Sequence, residues 1–410
     1  MFQSVRSLSQ RVASLRAALT SRDAPVPSGA APDGAAALDL RPYVDLPQRT
    51  PSPDAAERER IRTQGRYLAR QDDWETLSRG LREADEDRAH TLGGTPMALL
   101  LAEGANVDAL SSASGAIARE DPTAVRGILY TLRDCIERSE EDPWLGYMLA
   151  LAHVAVADAW NAAPALGPLH RDARAQHLET AHHLITRFDP IECNSAAIAA
   201  LRCTLLDVAE QPSRRVFDDY EDLIDLDPGC EHHLRALGRD LRPSRFGSWD
   251  KLDREARRTA ARVADLWGMG GYSWVWFDVL AVGETRGFAY VDPELFVEGL
   301  HDILARRPDQ HMANRLAAYC GVTLAGAASA RSPRQRIATC LDWIAQDHLH
   351  EIHPDIWARA LPAPCAAGAG TPLRSGQART LETLGKLFAD PARDRTVRVS
   401  EAAVHDTPAP

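Results

Sequence analysis

Five times between residues 121 and 293 an aspartate is followed directly by a proline: Asp121-Pro122, Asp142-Pro143, Asp189-Pro190, Asp227-Pro228 and Asp292-Pro293. The pair suits the start of a helix. The Asp carboxylate accepts from the free N–H groups of the first turn, and a Pro at the first helical position gives up an N–H that has no partner there. The pairs at 142, 189 and 227 stand 47 and 38 residues apart, the length of one helix–turn–helix unit. Apolar residues recur with helical period around them. Trp74, Leu77 and Leu81 form one stripe, opened by Asp72 or Asp73, and Val125, Ile128, Leu129, Leu132 and Ile136 form another. Strand-like alternation is confined to two short runs, 273–277 and 396–399. The pattern predicts an all-α chain, an irregular α-solenoid of stacked helical hairpins.

Composition sets the limits of the folded part. Residues 21–53 are rich in Ala, Pro, Asp, Gly and Ser, which neither nucleates a helix nor buries a core, so they read as a linker; 362–377 reads the same way. The expected layout is an amphipathic helix over 1–20, the linker 21–53, a helical-repeat body over 54–361, the linker 362–377, and a short helix with a polar tail over 378–410. In the first of these, Phe2, Val5, Leu8, Val12, Leu15 and Leu19 share a face and Arg6, Arg11 and Arg16 lie elsewhere. That face docks on the body or a partner, or, as the weaker alternative, attaches 2–19 to a membrane surface. The segment lacks the continuous apolar run of a signal peptide, and no stretch is long enough to span a membrane.

Two resemblances carry more than the period does. Val216, Tyr220 and Leu223, closed by Asp227-Pro228, resemble the second half of a tetratricopeptide repeat, although the Trp, Leu-Gly and Tyr pattern of the first half is absent. The run from His153 to Trp160, the Phe188-Asp189-Pro190 break, Asp227-Pro228, and Leu241-Arg242-Pro243-Ser244-Arg245-Phe246-Gly247-Ser248-Trp249 together resemble a family of uncharacterised bacterial helical-repeat proteins. That family carries a Leu-x-Pro-Arg-Trp-Gly-Gly-Ser signature before a helix. Here Phe246 replaces the Trp and Ser244 is extra. The resemblance covers about residues 140–280. It implies a tetratricopeptide-like fold and implies no activity.

Charge and cysteine usage exclude several classes. The net charge is −11, against the basic face that tracking a phosphate backbone requires, so no nucleic-acid partner is expected. Only Lys251 and Lys386 accompany the arginines, a coding bias of GC-rich bacterial genomes. The seven cysteines have no CxxC spacing and sit among apolar helical residues, as reduced thiols of a cytoplasmic protein do. Neither a zinc nor a disulfide framework is written there, and no cofactor is predicted. His348, His350 and His353 lie too close together, before Pro354, to present imidazoles on one helix face.

The densest chemistry lies between 242 and 278. Four of the nine tryptophans fall there within 28 residues, with glycines at 268, 270 and 271. Trp and Tyr anchor interfaces because they combine large apolar area with one polar handle. Arg242, Arg245, Trp249, Trp267, Tyr272, Trp274, Trp276 and Asp278 are therefore the candidate binding residues, with packing of a solenoid junction as the competing role. No Gly-x-Ser-x-Gly elbow, catalytic Cys pattern, dinucleotide fingerprint or phosphate loop occurs, and no residue is assigned a catalytic role. The expectation is a non-catalytic protein that binds another protein or a peptide. An enzyme using Arg245, Asp278 and His232 in a cleft near 242–278, and a scaffold self-assembling through residues 1–20, are the alternatives.

Overall fold

The computed structural model describes residues 46–136, 141–162, 167–281, 285–326, 328–361 and 372–388. The predicted N-terminal helix, most of both linkers, the tail and the strand-like run at 396–399 lie outside the described residues. Among those residues the secondary structure is helical, with two isolated bridges, Gln48 to Ile352 and His90 to Pro96, and no strand. The other strand-like run, 273–277, is helix. It is apolar on every side, which is what a helix buried all round requires. No helix among the described residues is long and apolar enough to cross a membrane.

The helices group into two compact units, a finer division than a single body over 54–361. The first unit, up to Ile303, contains α1 (Pro53–Arg70), α2 (Trp74–Glu86), α3 (Met97–Ile117), α4 (Pro122–Cys135), α5 (Pro143–Asn161), α6 (Pro168–Ile185) and α7 (Ala196–Thr204). It continues with α8 (Pro212–Leu226), α9 (Glu231–Asp240), α10 (Trp249–Arg262), α11 (Ala264–Trp267), α12 (Gly270–Ala281) and α13 (Pro293–Arg306), which runs out of the unit.

Several predicted caps form. Asp73 accepts from Thr76 N at 3.1 Å, Asp121 from Ala124 N at 2.9 Å, and Asp142 from Trp144 N at 2.9 Å. Asp292 caps α13 through Glu294 N at 3.1 Å. The other two Asp-Pro pairs do not open helices. Asp189 caps a turn that ends at Asn194, where φ is +46°, and Ser195 opens α7 instead by accepting from Ile198 N. Asp227 ends α8, with its carboxylate directed to imidazoles.

Within this unit α1 packs on α3, α3 on α5, and α5 on α6. Leu77, Leu81, Leu100, Met148, Leu149, Ile185 and Ile198 fill the shared core. The α1–α3 crossing is set by two glycines. A Cβ on Gly65 would stand 2.1 Å from Leu101 O, and one on Gly104 would stand 2.0 Å from Arg62 O. The α9–α12 crossing uses Gly238 in the same way, 1.8 Å from Val275 O. At each, backbone rests on backbone.

The second unit joins residues 46–52 to α14 (Gln310–Ala318), α15 (Pro333–Ala338), α16 (Leu341–Asp347), α17 (Pro354–Arg359) and α18 (Pro372–Phe388). Helix α18 starts within the stretch read as linker. Buried Asn314 organises the unit: its amide donates to Gln310 O and Glu351 O, and its carbonyl accepts from His353 N and Trp357 Nε1. His353 Nε2 lies 2.7 Å from Glu351 Oε1, so this histidine is part of the packing.

Candidate functional site

The aromatic segment is built by three short helices. Ser248 caps α10 through Lys251 N. Gly268, at φ +55°, ends α11 in the left-handed region that favours glycine, and the chain re-enters as α12 against α9 and α10. Trp267, Tyr272, Trp274 and Trp276 are all fully buried. Trp267 meets Trp274 edge-on at 5.9 Å and donates to Pro228 O at 3.0 Å. Trp274 tilts against Phe277 at 5.0 Å. Tyr272 donates its hydroxyl hydrogen to Asp253 at 2.7 Å and accepts from Asp292 N at 2.8 Å, so it ties α10 to the start of α13. Burial, then the Asp253 carboxylate, push its pKa far above the usual phenol range.

Trp249 behaves differently. It is half-buried, and its ring stacks with Trp276 at 6.3 Å and 4°. It also stacks with Tyr290 at 5.8 Å and 20°. Tyr290 is 43% exposed. The three rings form a column that starts in the core and ends in solvent. Exposed Arg257 packs over the Tyr272 ring at 5.5 Å and pairs with Asp253 at 2.8 Å beside this column.

The charged candidates form an ion network centred on α9. Asp278 lies between Arg235, 2.6 Å away, and Arg239. Burial raises its carboxyl pKa, but the two guanidiniums outweigh it and hold the group at about 2. Buried Arg242 donates to Arg239 O at 3.0 Å. Arg245 bonds Asp240 at 3.1 Å and Asp207 at 2.7 Å, with its guanidinium 4.5 Å from the Phe246 ring. His232 faces Gly93 O at 3.2 Å. Arg245, Asp278 and His232 are thus each engaged by partners within this fold. The structure brings the five aromatic candidates into one packed body, reserves Arg242, Arg245 and Asp278 for ion pairs and backbone carbonyls, and leaves the Trp249 end accessible.

A second cluster joins parts of the chain that sequence reading kept apart. His90 lies on the loop between α2 and α3. Its Nε2 is 2.8 Å from Asp227 Oδ2, and His233 Nε2 is 3.2 Å from the same oxygen. Burial raises the Asp227 carboxyl, but bonding to His233 and His90 brings it well below the ordinary range. Cys230, fully buried at the start of α9, has its sulfur 3.6 Å from Gly94 O. Burial pushes this thiol up, which makes it a poor nucleophile near neutral pH. Gly94, at φ +72°, admits the loop: a Cβ there would lie 2.1 Å from the Glu231 carboxylate. The sequence held half of this signal, Asp227-Pro-Gly-Cys230-Glu-His-His233. No spacing rule reaches the 137 residues back to His90.

Compared with known proteins, the chain matches no protein-family model, no curated protein and no solved structure.

Proposed function

We propose that the protein is a cytoplasmic, non-catalytic helical-repeat protein of tetratricopeptide-like construction that binds another protein or a peptide on the face where Trp249 and Tyr290 emerge. The observation that supports this reading is the aromatic column from buried Trp276 through half-buried Trp249 to exposed Tyr290. A ring held by stacking on a fully buried Trp is ordered before any partner arrives, so its apolar area is offered at little cost in conformational entropy. The rim around it is polar, with Arg257 and Asp292 within ion-pair distance of one another at 3.3 Å, which is the arrangement of an interface centre and its edge. Of the eight candidate residues, Trp249 is the aromatic that reaches a partner; the buried tryptophans support it from behind. The close, glycine-set crossings of α1 with α3 and of α9 with α12 are consistent with stacked helical hairpins.

Selection from a random peptide display library on the intact protein tests the reading. The expected result is enrichment of one recurrent peptide motif. Binding of the selected peptides falls at least ~10-fold in Tyr290→Ala and further in Trp249→Ala/Tyr290→Ala, as loss of central aromatic anchors predicts. Circular dichroism of Tyr290→Ala stays that of the parent. A library yielding no motif, or peptides that bind the double variant as they bind the parent, would sink the proposal.

A further inference from the structure

We infer that His90, Asp227 and Cys230 form a binding site for one zinc-class divalent cation, with His233 bonded to the Asp227 carboxylate from outside, and that the ion fastens the loop between α2 and α3 to the turn between α8 and α9. The first ground is geometric. One ligand atom from each of His90, Asp227 and Cys230 lies within 4.8 Å of the other two. Zinc holds nitrogen and oxygen at about 2.0–2.2 Å and thiolate at about 2.3 Å, so donors around one tetrahedral ion stand about 3.5 Å apart. His233 Nε2, 3.2 Å from the Asp227 oxygen, orients this carboxylate as an outer-shell partner.

The second ground is the chemistry of the donors. An imidazole, a carboxylate and a thiol together suit a borderline ion of the zinc and cobalt type. Magnesium and calcium prefer oxygen alone. A dication also balances the charge: Asp227 brings one negative charge, and Cys230 brings a second once its S–H proton passes to solvent on binding.

The third ground is what surrounds the sulfur. Cys230 precedes the first turn of α9, a helix of ten residues, and its sulfur lies 3.6 Å from Gly94 O on the loop that carries His90. Cys230 is fully buried and Asp227 is 3% exposed, whereas His90 is partly exposed. Three donors gather around the position, with one edge open for the ion's entry and for the water that would complete a tetrahedron. The competing arrangement is metal-free, with Asp227 simply paired to two imidazoles.

The experiment uses full-length protein stripped by a chelator and then titrated with zinc alone against a chromophoric competitor. Cobalt alone serves as the spectroscopic probe. One zinc per chain is expected, and cobalt produces a near-ultraviolet thiolate-to-metal band. Cys230→Ser removes that band, and Cys230→Ser and His90→Ala each weaken zinc binding on the order of 100-fold or more, beyond the 10–100-fold typical of outer-shell changes. Cys135→Ser, at an exposed cysteine, leaves the band intact. The chelator lowers the melting temperature of the parent and of Cys135→Ser. Three results overturn the inference: no stoichiometric zinc, a cobalt complex of the parent without the thiolate band, or a band that persists in Cys230→Ser. The parent's cobalt spectrum decides the matter even if the Cys230 and His90 variants do not fold.

Discussion

His153 and His177 present Nδ1 to Nδ1 at 3.0 Å, so one ring donates and the other accepts, and both cannot carry a proton on the facing atoms. Burial, then the facing His177 and Arg133, lowers His153 to about 3; burial, then Arg126, lowers His177 to about 4. In the unfolded chain both imidazoles titrate near the ordinary value of about 6.5. Because the folded values are the lower ones, the stabilisation is complete above about 6.5. It is lost as pH falls from there toward 4 and then 3, where the folded pair also takes up protons. The slope is about 1.4 kcal/mol per pH unit for each imidazole kept neutral by folding. Denaturant titrations at about pH 7, 6 and 5 should show stability declining, and His177→Gln should remove about one proton's share of the decline. A slope unchanged in that variant would mean that other groups control it.

At the scale of the element, what the sequence made visible was local. Asp73, Asp121, Asp142 and Asp292 cap helices because a cap needs only its own next three residues. Asp189 and Asp227 carry the same dipeptide and open no helix: Asn194 breaks the turn after the first, and His90 and His233 claim the carboxylate of the second. The helix crossings were invisible for the same reason, because Gly104 has meaning only beside Arg62 O on another helix. A pair of substitutions separates the two meanings of a helical glycine. Gly104→Ala forces a Cβ into a backbone carbonyl and should destabilise by about 1–3 kcal/mol or more. Gly127 sits exposed inside α4 with nothing within 4 Å of a Cβ, and Gly127→Ala should stabilise by about 0.5–1 kcal/mol, the ordinary helix-propensity gain. Thermal or denaturant unfolding reads both signs. Equal effects would mean that the α1–α3 crossing relaxes to admit a methyl group.

Across the whole molecule the sequence located the aromatic segment but not its division of labour. Density of Trp near 242–278 marks where large rings gather; only packing reveals that four rings are core and one, Trp249, leads outward to Tyr290, which no spacing or motif singles out. The ionic residues follow a similar rule. Arg235, Arg239, Arg245, Arg258 and Arg262 are each bonded to carboxylates of their own unit, so a count of cations overstates what is left for a polyanion. The chain's net charge of −11 adds a repulsive field at low salt, where screening is weakest. A partner that binds through counterion release would have to dislodge these arginines and work against that field, losing the term that supplies non-specific nucleic-acid affinity. Gel-shift titration of duplex DNA and single-stranded RNA in low-salt buffer should therefore show no retarded band. Retardation that weakens steeply with added salt would show a basic face that the charge balance conceals, and would redirect the search for a partner from proteins to nucleic acids.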